Sequence, residues 1–555
     1  MIVEQIYKYI KQALTILSYP EVNFTVDKSK STKFGDFNTN VAMLLTKTPV
    51  ALMTKKTPMQ IAEEISVNIN PKIFAKIEVV KPGFINFYLK PEVNKELFDQ
   101  INEEGEFFPK FEKTGKLINV EYVSANPTGY LHIGHARNAV FGDVIANLVK
   151  KVGNDVIREY IVNDAGNQMN MLSSSVLVRY KELFGQNVSL PDDSYHGEEI
   201  KLVASALKNK FGDKFVNTEI NPETFVIVNN DENFEIRMFA RNYLLNQIQE
   251  DLAAIGTYID IYYSELEIHK NNLIPQTIEK LGDNVYEKDG ATWLRTTAYG
   301  DDKDRVLIKK DGTPTYFMPD IAYHNIKLTR EPKPDKLINI WGADHYSYIT
   351  RMQIALRCLG FPEDKLKVLC MQMVRLVKDG QEFKMSKRSG QSLTLMDLVN
   401  AVGKDAARWY LVSVSPSTHI ELDVDTATKK DNNNPIYYVE YAHARACSIL
   451  EKGKDYFETN VNTNLLDTDL DKEILSHLHF YKSTIANAAN NYEPQKLATY
   501  IYSLAKLFHS YYGSMKIIDD SNLELTKQRL ALVNAVSIVL RNALALLGIT
   551  AYTSM

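Results

Sequence analysis

Two short runs far apart in the chain hold residues able to do chemistry: His132-Ile133-Gly134-His135 and Lys384-Met385-Ser386-Lys387. Either run alone is a weak signal. Two histidines three residues apart suit a metal pair, but a metal site needs a third ligand, and no cysteine or acidic cluster lies nearby in sequence. A lysine-rich loop is ordinarily solvated surface. Together the runs fit phosphate chemistry. When a carboxylate attacks the α-phosphate of ATP, negative charge gathers on phosphorus and on the departing pyrophosphate, and catalysis consists of placing donors around it. His132 and His135 offer ring N–H groups, Gly134 lets backbone approach the nucleotide, and Lys384 and Lys387 bring cations on a loop. Arg388 strengthens that field, while Met385 and Ser386 shape the loop.

The elements around these runs must bring them to one place. The apolar run 117–123 is followed by the turn-rich Ser124-Ala125-Asn126-Pro127-Thr128-Gly129, a helical pattern stopped by Gly153, and a second apolar run, 156–162. This order predicts a parallel βαβ unit with a helix N-terminus at the carboxyl edge of a sheet, where anionic ligands bind. Residues 170–270 read as a mainly helical insertion, including a helix over 234–255 ended by Gly256. Asp289-Gly290 and Asp311-Gly312 signal two hairpins. The α/β alternation resumes at 337–341, continues through a helix over 346–359 and an apolar run over 366–377, and reaches the basic loop. Thr394-x-x-Asp397 then predicts a helix N-cap. The expected fold class is α/β: a Rossmann-like parallel-sheet catalytic domain (111–430) with a helical insertion, an N-terminal α+β domain (1–110) and a C-terminal all-α bundle (431–555).

Composition excludes other classes. The 555 residues carry 64 Lys+Arg against 69 Asp+Glu, a net charge of -5, with 45% hydrophobic residues. That rules out disorder, collagen, coiled coil and a histone-like polycation, so any nucleic-acid contact must come from local patches. One such patch is the first 56 residues, with eight lysines and four acids interleaved with tyrosine and phenylalanine. Cys358, Cys370 and Cys447 match neither a disulfide framework nor a zinc cluster, which points to a reducing compartment. No secretory signal opens the chain, and no run reaches the ~18 apolar residues of a membrane span. A cytoplasmic protein without a structural metal is expected. The most apolar stretch, 530–549, reads as a buried helix.

Beyond this chemistry the runs resemble the two signature motifs of class I aminoacyl-tRNA synthetases, and their neighbours narrow the resemblance to the arginyl-tRNA synthetase family. Glu121-Tyr122-Val123-Ser124-Ala125-Asn126-Pro127-Thr128-Gly129, Val162-Asn163-Asp164-Ala165-Gly166-Asn167-Gln168, Gly342-Ala343-Asp344-His345, the loop 384–390 and Tyr438-Val439-Glu440-Tyr441-Ala442-His443-Ala444-Arg445 are all similar to that family. So are Gly35-Asp36-Phe37-Asn38 and the strand-like 83–89, which fit its additional N-terminal domain. The resemblance implies ATP with Mg2+ as cofactors, bound through His132, Gly134, His135, Lys384, Ser386 and Lys387. It implies an L-arginine pocket of Glu121, Ser124, Asn126, His135, Tyr316 and Asp320. Asp344 faces either arginine or the nucleotide ribose. A guanidinium is a planar fork of donors that a carboxylate such as Asp320 can take bidentately, whereas lysine offers a point charge.

Some family members lack the second loop lysine and carry one before the first histidine. This chain has Lys387 and, upstream, Gly129, so its loop is expected to supply that charge. The resemblance further implies tRNA(Arg) as partner, met by the N-terminal domain and the C-terminal bundle, a monomer, and arginine–tRNA ligase activity in two steps. Three alternatives stay open: another class I synthetase, a short nucleotidyltransferase, and a non-catalytic tRNA-binding paralogue.

Overall fold

The computed structural model describes residues 2–29, 31–49, 55–382 and 393–555. Lys384, Ser386 and Lys387 therefore lie outside the described residues. Two compact units form: residues 1–112 together with 429–555, and residues 113–428.

In the first unit, strands β1 (Val26–Lys28), β2 (Phe37–Thr39), β3 (Phe74–Val80) and β4 (Phe84–Leu89) make an antiparallel sheet in the order β1-β2-β4-β3. Helix Ile2–Ile16 buries Ile2, Ile6, Ile10, Ala13 and Leu14, spaced three and four apart, against this sheet's core. Thr57 caps helix Pro58–Asn68 in a full capping box. The C-terminal segment is wholly helical from Pro435–Lys452 to Leu523–Leu546. That last helix has the length and composition to cross a membrane, yet 67% of its apolar window is buried, so it is the bundle's core helix.

The N-terminal α+β segment and the C-terminal helical segment pack together in this one unit. Asp36 accepts from Ser476 Oγ at 3.1 Å and from Leu89 N–H at 2.8 Å. Asn542 Nδ2 donates to the carbonyls of Gly105 and Phe108, and His479 Nε2 meets Asn94 Oδ1 at 2.9 Å. These contacts link residues hundreds of positions apart, which no local pattern reveals.

The second unit is built on a five-stranded sheet. β5 (Leu117–Glu121), β6 (Asp155–Val162) and β7 (Ile261–Ser264) run parallel, and after the small antiparallel sheet of β8 (Val285–Lys288), β9 (Ala291–Leu294) and β10 (Arg305–Ile308) the chain returns with β11 (Lys336–Gly342) and β12 (Leu366–Met371). The order β12-β11-β5-β6-β7 is parallel throughout. From β5 the chain builds outward through β6 and β7, then crosses to the other side at β11. The crevice between the carboxyl ends of β5 and β11 is thus the switch point where such folds bind ligands.

Helices Asn167–Glu182, Glu198–Phe211 and Asn230–Ala254 pack on a core of their own. The segment expected to be insertion as far as residue 270 nevertheless rejoins the sheet at β7. Similarly, the apolar run 366–377 is two elements: Gln372 and Met373 break it, and β13 (Val374–Lys378) belongs to a separate sheet with β14 (Gln381–Glu382) and β15 (Ile420–Asp423). Asp289-Gly290 does turn β8 into β9. At Asp311-Gly312 the returning arm makes only a single bridge, Ile308 to Pro314.

Helix Ile133–Lys151 crosses from β5 to β6 and is buried along most of its length. Its close approach to the sheet depends on Gly142, where a Cβ would lie 2.3 Å from the ring of the fully buried Tyr122. Gly142→Ala should lower stability by about 1–3 kcal/mol, the usual cost of overpacking. Denaturant unfolding checks this; an unchanged midpoint contradicts it.

Candidate active site

His132 is the N-cap of helix Ile133–Lys151, and its ring does the capping. The Gly134 N–H donates to His132 Nδ1 at 3.0 Å, while the His132 N–H donates to His135 Nδ1 at 3.2 Å, a reciprocal capping box made by imidazoles. The rings stack with centroids 3.6 Å apart. A Cβ on residue 134 would sit 2.9 Å from His132 Cε1, so Gly134 makes room for the ring as well as for a ligand. Because each Nδ1 accepts, a neutral ring must carry its hydrogen on Nε2. Burial lowers the pKa of His132, and burial together with the neighbouring His132 ring holds His135 at about 3. The pair is therefore two neutral Nε2–H donors at a helix N-terminus, a suitable setting for phosphate.

The basic loop itself lies outside the described residues, but its far end is tied to the histidines. Ile133 N–H donates to Leu393 O at 2.9 Å, and Leu395 N–H to Leu131 O at 2.7 Å. Thr394, bridged to His132, then starts the next helix with a capping box to Asp397. Residues 393–395 and the start of the histidine-capped helix thus share one hydrogen-bonded junction.

The loop after β5 is held in unusual backbone geometry. Val123 and Ser124 have φ of 68° and 45°, which side-chain-bearing residues seldom adopt. Asn138 enforces it, accepting from Val123 N–H at 2.7 Å and donating to Ile340 O of β11. Ser124 Oγ donates to Glu121 Oε1 at 3.2 Å and accepts from Ile161 N–H. Asn126 is gripped by Asn163 and Gln168, at 2.9 and 2.5 Å.

Behind this loop lies a buried charge system. Glu121, at the carboxyl end of β5, accepts from Lys327 Nζ at 2.6 Å, and Lys327 is fully buried. Asp320, in the first turn of helix Phe317–Thr329, accepts from Tyr348 Oη at 2.7 Å. Desolvation first, then the charges of Glu265 and Glu121, raise Asp320 to about 7 against the lowering effect of Tyr348. Glu265 follows β7, and burial with the nearby Asp164 charge raises it too. Asp164 secures this corner, accepting from Ser264 Oγ, Leu266 N–H and Arg241.

The structure therefore brings together Glu121, Ser124 and Asp320 at one electrostatic site, and His132, Gly134 and His135 at the adjacent helix start. Tyr316 is not brought in: it precedes helix Phe317–Thr329 and is 94% exposed. Asp344 sits past β11 with its side chain 77% exposed, paired with His345 at 3.3 Å and not with Asp320. Glu265, Tyr348 and Lys327 were missed. An acid closing the apolar Ile261-Tyr262-Tyr263-Ser264 repeats the Glu121 arrangement, but the strand is hidden in a stretch read as helical insertion. Among the described residues, no group of three or more His, Cys, Asp or Glu could hold a metal ion.

Residues 99–419 match the family model for tRNA synthetases class I (R), catalytic domain; residues 4–89 match the arginyl tRNA synthetase N terminal domain, and 439–555 the DALR anticodon binding domain. The chain is 48% identical to the arginine–tRNA ligase of Ureaplasma parvum across all of both chains. It is 41% identical to that of Bacillus subtilis over 96% of this chain and 94% of the other. Its fold matches Thermus thermophilus arginyl-tRNA synthetase with a TM-score of 0.78 over all of both chains, at 21% identity. Sheet, histidine-capped helix and model match define a class I aminoacyl-tRNA synthetase catalytic domain. Within that class, the chain belongs to the arginyl-tRNA synthetase family.

The histidine geometry has a direct signature. A ring held near pKa 3 refuses a proton that the unfolded chain accepts near 6.5, so it removes stability as pH falls from 6.5 toward 3 and has no such effect above. Imidazole 15N spectra should show His135 neutral and Nε2-protonated down to about pH 4, with His132 titrating below 6.5. A His135 titration near 6.5 would contradict the capping arrangement.

Proposed function

We propose that the protein ligates L-arginine to tRNA(Arg) in two steps. In the first, an arginine carboxylate oxygen attacks the α-phosphorus of ATP, the bond to the β-phosphate oxygen breaks, and arginyl-adenylate and pyrophosphate result. In the second, a hydroxyl of the tRNA terminal ribose, the 2′-hydroxyl first, attacks the arginyl carbonyl carbon and AMP leaves. Activation awaits bound tRNA, which the N-terminal domain and C-terminal bundle contact. We place the protein in the cytoplasm as a monomer.

The observation that carries this reading is the pairing of two opposite ligand fields at one sheet edge. Neutral N–H donors at a helix N-terminus await phosphate; beside them two recessed carboxylates, Asp320 and Glu265, await a cation, while Glu121 is already held by Lys327 and Ser124. Because His132 and His135 donate while uncharged, they stabilise charge developing on the α-phosphate without repelling the guanidinium nearby. A donor of this kind is worth ~10^2- to 10^3-fold in rate. Lys384 and Lys387 supply positive charge toward pyrophosphate, with Ser386 between them in the same motif. Mg2+ belongs to the nucleotide's phosphates and offsets their charge.

Asp320 takes the guanidinium, its rotamer held by Tyr348, while Ser124 and Asn126 order the loop that lines the pocket. An unmatched buried carboxylate costs roughly 2–5 kcal/mol, which disfavours amino acids lacking a guanidinium.

ATP–pyrophosphate exchange with each amino acid, with and without tRNA, tests the reading. Exchange only with arginine supports it; exchange with another amino acid, or none at all, overturns it. Asp320→Ala should sharply weaken arginine binding and leave ATP binding intact. Loss of ATP binding with arginine affinity kept would remove Asp320 from the pocket.

A further inference from the structure

Lys327 is a lysine with no solvent contact, on the helix that also carries Asp320. Its ammonium donates to Glu121 Oε2 at 2.6 Å and to Asn339 Oδ1 at 3.2 Å, and lies 5.0 Å from the centre of the Tyr323 ring. Asn339, in β11, meets His324 Nε2 at 2.8 Å, and His324 Nδ1 meets the backbone oxygen of Asp320 at 2.7 Å. Only one assignment satisfies this chain. Lys327 donates to the Asn339 carbonyl, so the Asn339 amide must donate to His324 Nε2, leaving Nδ1–H to donate to the Asp320 carbonyl. His324 is then neutral, in keeping with burial and the Lys327 charge, which hold it at about 3.

The hydrogen bonds thus link Glu121 of β5, Asn339 of β11 and the Asp320 backbone of the helix through one buried cation. A simple stabilising ion pair is a poor account of it, because an apolar pair of similar volume commonly serves stability as well or better. The location is informative: both ends of the chain are residues of the proposed arginine pocket, and Glu121's other oxygen is already engaged by Ser124.

We propose that Lys327 is a positioning residue for arginine recognition, an internal cation that holds the Glu121 carboxylate in one orientation. The proposal rests on the arginine-pocket reading above. It assigns no contact between Lys327 and substrate; the residue acts through Glu121.

A double-variant cycle of Lys327→Met and Glu121→Gln, read as separate KM values for arginine and ATP in the exchange assay, tests it. Lys327→Met should raise the arginine KM by about 10^2-fold, with kcat and the ATP KM little changed, and Lys327→Arg should recover much of the loss. Because Lys327 works through Glu121, the double variant should be no worse than Glu121→Gln alone. Multiplying effects, or arginine and ATP KM rising together, would overturn the proposal in favour of a general structural role. If Lys327→Met does not fold, Glu121→Gln and the double variant, which leaves no unpaired buried charge, carry the test: equal arginine KM values support it and a further rise overturns it. Asp320→Asn is the control for the pocket itself. Should it leave arginine KM at the wild-type value, the pocket reading falls and this proposal with it; should it raise KM while Lys327→Met does not, only the proposal falls.

Discussion

Carboxylates gathered at one edge of a sheet repel one another and lose hydration, and the catalytic unit is arranged around meeting that cost. Glu121, Asp320 and Glu265 close toward one another from β5, from the helix after β10, and from the end of β7. One resident cation, Lys327, answers Glu121. Tyr348 answers Asp320, and Asp164 with Arg241 secures the corner beside Glu265. The arrangement leaves anionic character unspent, which on the proposed reading a guanidinium completes.

The histidine-capped helix solves the opposite problem a short distance along the same edge. Positive charge there would serve ATP but oppose the arginine side chain. Rings that use Nδ1 to cap their own helix stay neutral and still donate from Nε2. Fixed charge is thereby kept among the carboxylates, and Leu393 and Leu395 are hydrogen-bonded on either side of His132, to Ile133 and Leu131.

Much of this was legible in the sequence because it is local. The βαβ unit, the helix starting at the first histidine run, the Thr394 cap and the helical C-terminal segment follow from periodicity and capping residues. What was hidden depends on tertiary placement. Lys327 sits in an ordinary helical pattern, where lysine almost always means solvent; only the Glu121 contact makes it a core residue. Glu265 closes a strand of four residues that helices on the preceding side disguise. Tyr316 shows the reverse error: its neighbours look strand-like, yet the chain turns into a helix at Phe317 and leaves the ring outside. The union of the N- and C-terminal segments rests on polar contacts across more than four hundred residues, such as Asp36 with Ser476, that leave no periodic trace.

Asp320 waits as a desolvated carboxyl near pKa 7, and on the proposed reading arginine draws it fully into its ionised form. Calorimetric titration of arginine in buffers of different ionisation enthalpy measures this directly. Near pH 7, binding should release about half a proton, the release should fade by pH 9, and affinity should fall as pH drops from 8 to 6, with all three effects lost in Asp320→Asn. Arginine binding with no proton release and a flat affinity from pH 8 to 6 would contradict it.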